Sequence, residues 1–113
     1  MIIYLCTPYS HPDDAVREKR FDISCEVAAW VMGQGHTVFC PIAHSHPIAD
    51  YLAPELLLDH EFWMRQDLPL LAKADEVWVY PSDAADVSRG VAREVAEAER
   101  LGIPVRLLST TSG

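Results

Sequence analysis

Four short apolar runs, at residues 2–6, 36–40, 76–80 and 104–108, alternate with stretches of helical periodicity, and this alternation restricts the possible folds more than any other feature. The runs are rich in β-branched and aromatic residues. Their apolar positions are nearly continuous, as in strands covered on both faces. Between the first two, Asp13 or Asp14 opens a helix along which Val16, Arg20, Ile23, Val27, Trp30 and Val31 recur, and Gly33 and Gly35 close it. Residues 41–54 carry Pro41, Pro47 and Pro54 and read as a long irregular loop that covers a ligand. Residues 55–73 read as helical, with Pro69 imposing a kink or a fresh start near Asp67. A last helix is expected over 88–101, capped by Gly102. The expectation is one α/β domain over residues 1–113, a three-layer parallel sheet with helices on both faces. Ligands of such sheets bind at the carboxyl ends of the strands, which singles out the segments 7–12, 41–54 and 81–88.

Composition narrows the function. Half of the 113 residues are apolar and the net charge is −8, so the chain reads as a folded domain without the basic face that polymeric nucleic acid requires. No apolar run approaches the roughly 20 residues that span a bilayer. No secretory leader is evident, and the reading is a cytoplasmic protein. Cys6, Cys25 and Cys40 form no CxxC pair and sit in apolar contexts, as buried reduced thiols would. A dinucleotide GxGxxG, a phosphate-binding P-loop and a GxSxG elbow are all absent.

The chemistry-bearing candidates gather near the predicted strand ends. Ser88 is placed to cap the last helix, where free N–H groups favour an anion. Gly90 and Glu94 are four residues apart and share a helix face. Helical side chains lean toward the N-terminus, so Glu94 would lie over Gly90 with open space above it. Spacing by itself favours the plainer reading, a solvated Glu on a charged helix whose replacement costs little stability. Asp67 is either a solvated acid or cap before Pro69, or a carboxylate offered to the same region. Trp63 could stack on a base or simply pack. Tyr4 within the first run reads as core, although a buried hydroxyl needs a partner and a carboxylate could supply it. Ser10 and His11 follow the first strand, and Arg17 and Arg20 are the nearest cations for a phosphate. His44 and His46 are two imidazoles with no third ligand at a clear spacing, a weak metal signal.

Taken together, these segments resemble the nucleoside 2-deoxyribosyltransferase-like superfamily. The resemblance is carried by Ile3-Tyr4-Leu5 with Pro8-Tyr9, by Gln66-Asp67-Leu68 with Leu71 and Ala74-Asp75-Glu76-Val77, and by Ser88-Arg89-Gly90, Glu94, Ala98 and Gly102-Ile103-Pro104-Val105. Its relatives include 2′-deoxynucleoside 5′-monophosphate N-glycosidases, pyrimidine nucleotide hydrolases and a branch of small bacterial and phage proteins. Pro8, His11 and Pro12 in place of a glycine-rich opening loop, and the His-containing segment 41–54, fit that last branch better. The resemblance implies a flavodoxin-like or Rossmann-like sheet. It implies Glu94 as nucleophile, Asp67 and Tyr4 as its partners, and Ser88 as a phosphate contact, with Gly90, Ser10, His11, Arg20 and Trp63 lining the substrate. It implies cleavage or transfer at the N-glycosidic bond of a nucleoside or nucleoside 5′-monophosphate, with no metal or organic cofactor. It also implies a homodimer or larger homo-oligomer, an expectation shared by the apolar Leu56-Leu57-Leu58 run and three Trp residues in so small a chain. The competing reading is a nucleotide-binding module without turnover; a purely structural protein on the same scaffold is a third.

Overall fold

In a computed structural model, which describes residues 1–9, 12–57, 59–81 and 89–108, the strands are β1 (Ile2–Cys6), β2 (Thr37–Phe39), β3 (Glu76–Val79) and β4 (Val105–Leu107). The helices are α1 (Asp14–Gly33), α2 (Pro41–Ala49), α3 (Pro54–Leu57), α4 (His60–Leu71) and α5 (Arg89–Leu101). The sheet runs β2-β1-β3-β4 and every pairing is parallel, with Tyr4 opposite Phe39 on one side and Val77 on the other.

The alternation of side chains along β1 builds both cores. Ile3 and Leu5 point to one face, where they join Trp78 and meet Ala28 and Val31 of α1. Tyr4 and Cys6 point to the other, where they join Val77 and meet Leu71 of α4 and Ala98 of α5. Helices therefore cover both faces, as the apolar runs require. Asp13 caps α1 by accepting from the Ala15 amide at 2.8 Å.

Three expectations are corrected. Residues 41–49 are helical, because Pro41 occupies the first helical position, where its missing N–H is no loss. Pro54 likewise opens α3, and α2 continues through the interior Pro47 at the loss of one backbone hydrogen bond. The helix foreseen over 55–73 is two: α3 ends at Leu57, and Asp59 caps α4 through the Phe62 amide at 3.1 Å. Pro69 neither breaks nor restarts α4, which continues to Leu71. On α1 the buried stripe is Ser24, Ala28 and Val31, so Trp30 is 55% exposed and Cys25 is an exposed thiol.

Candidate active site

The polar groups that penetrate the core do so by occupying apolar helix positions. The stripe that α5 turns inward contains Val91, Glu94 and Ala98, and that of α4 contains Met64, Asp67 and Leu71. Both acids thus take places at the three- and four-residue spacing of a core face. Glu94 is 6% exposed and Asp67 5%. An exposed two-pronged pair between Arg93 and Glu61, at 2.7 and 3.2 Å, ties α5 to α4 alongside them. The plainer expectation of a solvated Glu94 is therefore corrected.

Tyr4 reaches Glu94 from β1 and donates its hydroxyl hydrogen bond to Oε2. The Cys6 thiol, two residues along on the same strand face, also hydrogen-bonds the Glu94 side chain. Burial pushes the Glu94 carboxyl up to about 7; the Tyr4 bond opposes this, the nearby Asp67 charge adds to it, and the Cys6 bond opposes it in turn. Asp67 is raised to about 6 by burial, and its Oδ1 has no hydrogen-bond partner among the described residues. Burial, followed by the charge of Glu94, also raises the Tyr4 hydroxyl far above its ordinary value, so it stays a donor.

Glu94 and Asp67 line a cleft of about 900 Å³ beyond the carboxyl ends of β1 and β2, with Tyr4 buried behind Glu94. Its walls come from Thr7 and Tyr9 after β1, from α2, from Trp63 and Asp67 of α4, and from Gly90, Val91 and Glu94 of α5. Gly90 lies on the wall one turn before Glu94, as the spacing anticipates. Thr7 is anchored from behind. Ser24 donates to the Arg20 carbonyl at 2.8 Å, which leaves Thr7 to donate to Ser24 at 2.7 Å. Trp63 lines the cleft while its indole N–H donates to the Leu57 carbonyl at 3.1 Å.

Other expected residues fall elsewhere. Arg20 does not line the cleft, whereas Arg17, paired with Asp14, does. Ser10, His11 and Ser88 lie outside the described residues. His44 and His46 diverge, because residues two apart on a helix point to different sides. His44 packs against Phe39, while His46 stacks on Phe21 and joins the cleft. Among the described residues no three His, Cys, Asp or Glu side chains converge as a metal site. Also among them, no helix is long and apolar enough to cross a membrane.

Sequence reasoning missed Cys6 and Tyr9, and read His46 only as part of a covering loop. Cys6 was available from strand parity with Tyr4. The contact of Tyr9 with His46 depends on α2 being helical, which the prolines concealed.

A four-stranded parallel α/β sheet with a buried acid pair at its ligand edge defines the class. The structure is similar to that of a 2-deoxyribosyltransferase from the psychrotolerant bacterium Bacillus psychrosaccharolyticus, with a TM-score of 0.71 and 26% identity. The similarity covers 100% of this chain and 75% of that one. That enzyme is described as a biocatalyst for the synthesis of antiviral and antitumoral nucleosides. No curated protein matches the sequence. The chain belongs to the family described as Domain of unknown function (DUF1937), whose family model matches residues 1–110.

Proposed function

We propose that this protein cleaves or transfers at the N-glycosidic bond of a nucleoside or nucleoside 5′-monophosphate, with Glu94 as nucleophile. The observation that carries the reading is the buried Glu94 carboxyl on the wall of the cleft, held by Tyr4 beside Asp67, whose Oδ1 has no hydrogen-bond partner among the described residues. Likeness to a 2-deoxyribosyltransferase supports the nucleoside as substrate class.

In this reading the Glu94 carboxylate attacks the anomeric carbon as the base departs through an oxocarbenium-like state. Water or a second base then resolves the glycosyl-enzyme. The Tyr4 hydrogen bond fixes which oxygen attacks, and the free Asp67 oxygen is available to a sugar hydroxyl. A carboxyl raised to about 7 is half ionised near neutrality, so the nucleophile is present without being masked by a permanent cation. Trp63 would lie along the base and Arg17, at the wall, near a phosphate.

The test is chromatographic release of free base from a panel of nucleosides and their monophosphates, with and without a second base as acceptor. Release by the parent protein, lost in Glu94→Gln, supports the reading. Tight binding without release would instead make it a nucleotide-binding module. Ser88→Ala is expected to weaken monophosphate binding about tenfold and to spare the nucleoside. A homo-oligomer is part of the same reading. It is supported by the exposed Trp30 and Met32 and by the apolar groove of about 450 Å³ between α5 and the edge strand β4, where Leu107 is 70% exposed. Light scattering at micromolar concentration checks it, and a monomer would refute it.

A further inference from the structure

The same cleft is lined by a second set of titratable groups that the mechanism above does not use. The Tyr9 hydroxyl is 2.6 Å from Nδ1 of His46, and Nε2 of the same imidazole is 2.9 Å from a Glu18 carboxylate oxygen. The three come from different elements: the segment after β1, the middle of α2, and the outer side of α1. Phe21 stacks on the imidazole with ring centroids 4.3 Å apart, which fixes its plane so that each nitrogen meets its own partner. Tyr9 and His46 line the cleft, and Glu18 lies outside it, exposed to solvent. A carboxylate, an imidazole and a hydroxyl are thus in line, with the hydroxyl at the cleft end.

The donor pattern of such a line has two states. With His46 neutral and its proton on Nε2, that nitrogen donates to Glu18, and Nδ1 accepts from Tyr9, whose proton then points away from the cleft. With His46 protonated, Nδ1 donates to Tyr9, and the Tyr9 O–H is released to donate into the cleft. Glu18 meets Nε2 of the imidazole in both states. Arg17 of α1 and Asp50, following α2, are further charges that face Tyr9.

We propose that Tyr9 is the acid that protonates the departing base, with His46 and Glu18 as its positioning residues. This rests on the N-glycosidic reading of the cleft. As the Glu94 carboxylate forms its bond to the anomeric carbon, the carbon–nitrogen bond breaks and its electron pair passes to the base. The base takes the Tyr9 hydroxyl proton, and the Tyr9 oxygen takes the proton from Nδ1 of His46. The products are a neutral glycosyl ester, a neutral base, Tyr9 restored as a phenol and a neutral His46 bonded to Glu18. When water resolves the ester, its proton returns along the same line to His46.

A leaving group that needs no proton separates this role from a structural one. Rates are measured on a nucleoside that the parent turns over and on the 4-nitrophenyl glycoside of the same sugar, whose phenolate departs unaided. Tyr9→Phe and His46→Gln are each expected to lose at least about tenfold more rate on the nucleoside than on the nitrophenyl glycoside. Glu18→Gln is expected to show the same bias, smaller in size. Equal losses on the two substrates, or an unimpaired Tyr9→Phe, would overturn the proposal while leaving Glu94 in place. A parent that releases neither base nor nitrophenolate would overturn the N-glycosidic reading itself, and this assignment with it. Residual nitrophenolate release by each variant reports that it is folded.

Discussion

Two groups of acids, the pair on the cleft wall and the one that ends the Tyr9–His46–Glu18 line, are handled in opposite ways. Glu94 and Asp67 are buried against β1, Glu94 accepts from the Tyr4 hydroxyl, and desolvation raises both carboxyls. Glu18, outside the cleft, is exposed and engages a hydrogen-bonded imidazole. Burial without a countercharge stores a protonation preference in the fold and makes stability depend on pH. Exposure with a partner leaves stability almost unaffected and keeps proton exchange with solvent open. An anionic nucleophile gains from the first environment and a proton relay from the second.

The largest effect should come from the buried acid pair. Glu94→Gln is expected to reduce base release by about 10³-fold or more. It should also raise stability at pH 8 by about 1 kcal/mol or more, a melting shift of about 4 °C, since it removes a desolvated charge and keeps the shape. Lost activity with an unchanged or lowered melting temperature at pH 8 would mean that the carboxylate is better solvated than its burial indicates.

Tyr4→Phe comes next, with an expected fall in turnover of about tenfold to a hundredfold. Its signature is in the pH profile. Without the Tyr4 donor the Glu94 carboxylate is less favoured, so the ascending limb of kcat/KM, expected near pH 7, should move to higher pH. A limb that stays fixed would assign the ionisation to another group.

A third expectation concerns the parent protein alone. Glu94 and Asp67 both titrate higher when folded, from 4.5 to about 7 and from 3.8 to about 6. Between these limits the native state holds protons that the unfolded chain has released. Their contribution is therefore fully present below about pH 4 and is lost as pH rises through 6 to 7. The melting temperature should decline from pH 5 to pH 8, and the double variant Asp67→Asn, Glu94→Gln should flatten that decline. The exposed Glu61 and Glu97, lowered by Arg93 and Arg100, act in the opposite sense only at more acid pH.

The smallest effect belongs to the exposed acid. Glu18→Gln should change stability by less than about 1 kcal/mol, as expected for an exposed polar contact. A larger loss would show that the contact with His46 holds α2 onto α1, and the contrast between buried and exposed acids would shrink.

The layering and the order of elements were legible without coordinates, because continuous apolar runs separated by helical periods have few ways to bury both faces of a sheet. The Gly90–Glu94 spacing on one helix face was legible for the same local reason. The burial of Glu94 and Asp67 was written in the sequence but went unread: each interrupts an apolar stripe, Val91-Glu94-Ala98 and Met64-Asp67-Leu71, and a charge in such a stripe is a core position before it is a surface one. The helix over residues 41–49 was hidden by its prolines, whose meaning depends on whether they fall at a first turn or an interior one. The line from Tyr9 through His46 to Glu18 joins α2 to segments 37 and 28 residues earlier in the chain. No local pattern encodes such an encounter, since it exists only once α2 has packed onto α1 and β1. Tertiary packing decided where desolvation acts and which side chains face each other across the cleft, because both depend on neighbours that only the folded chain supplies.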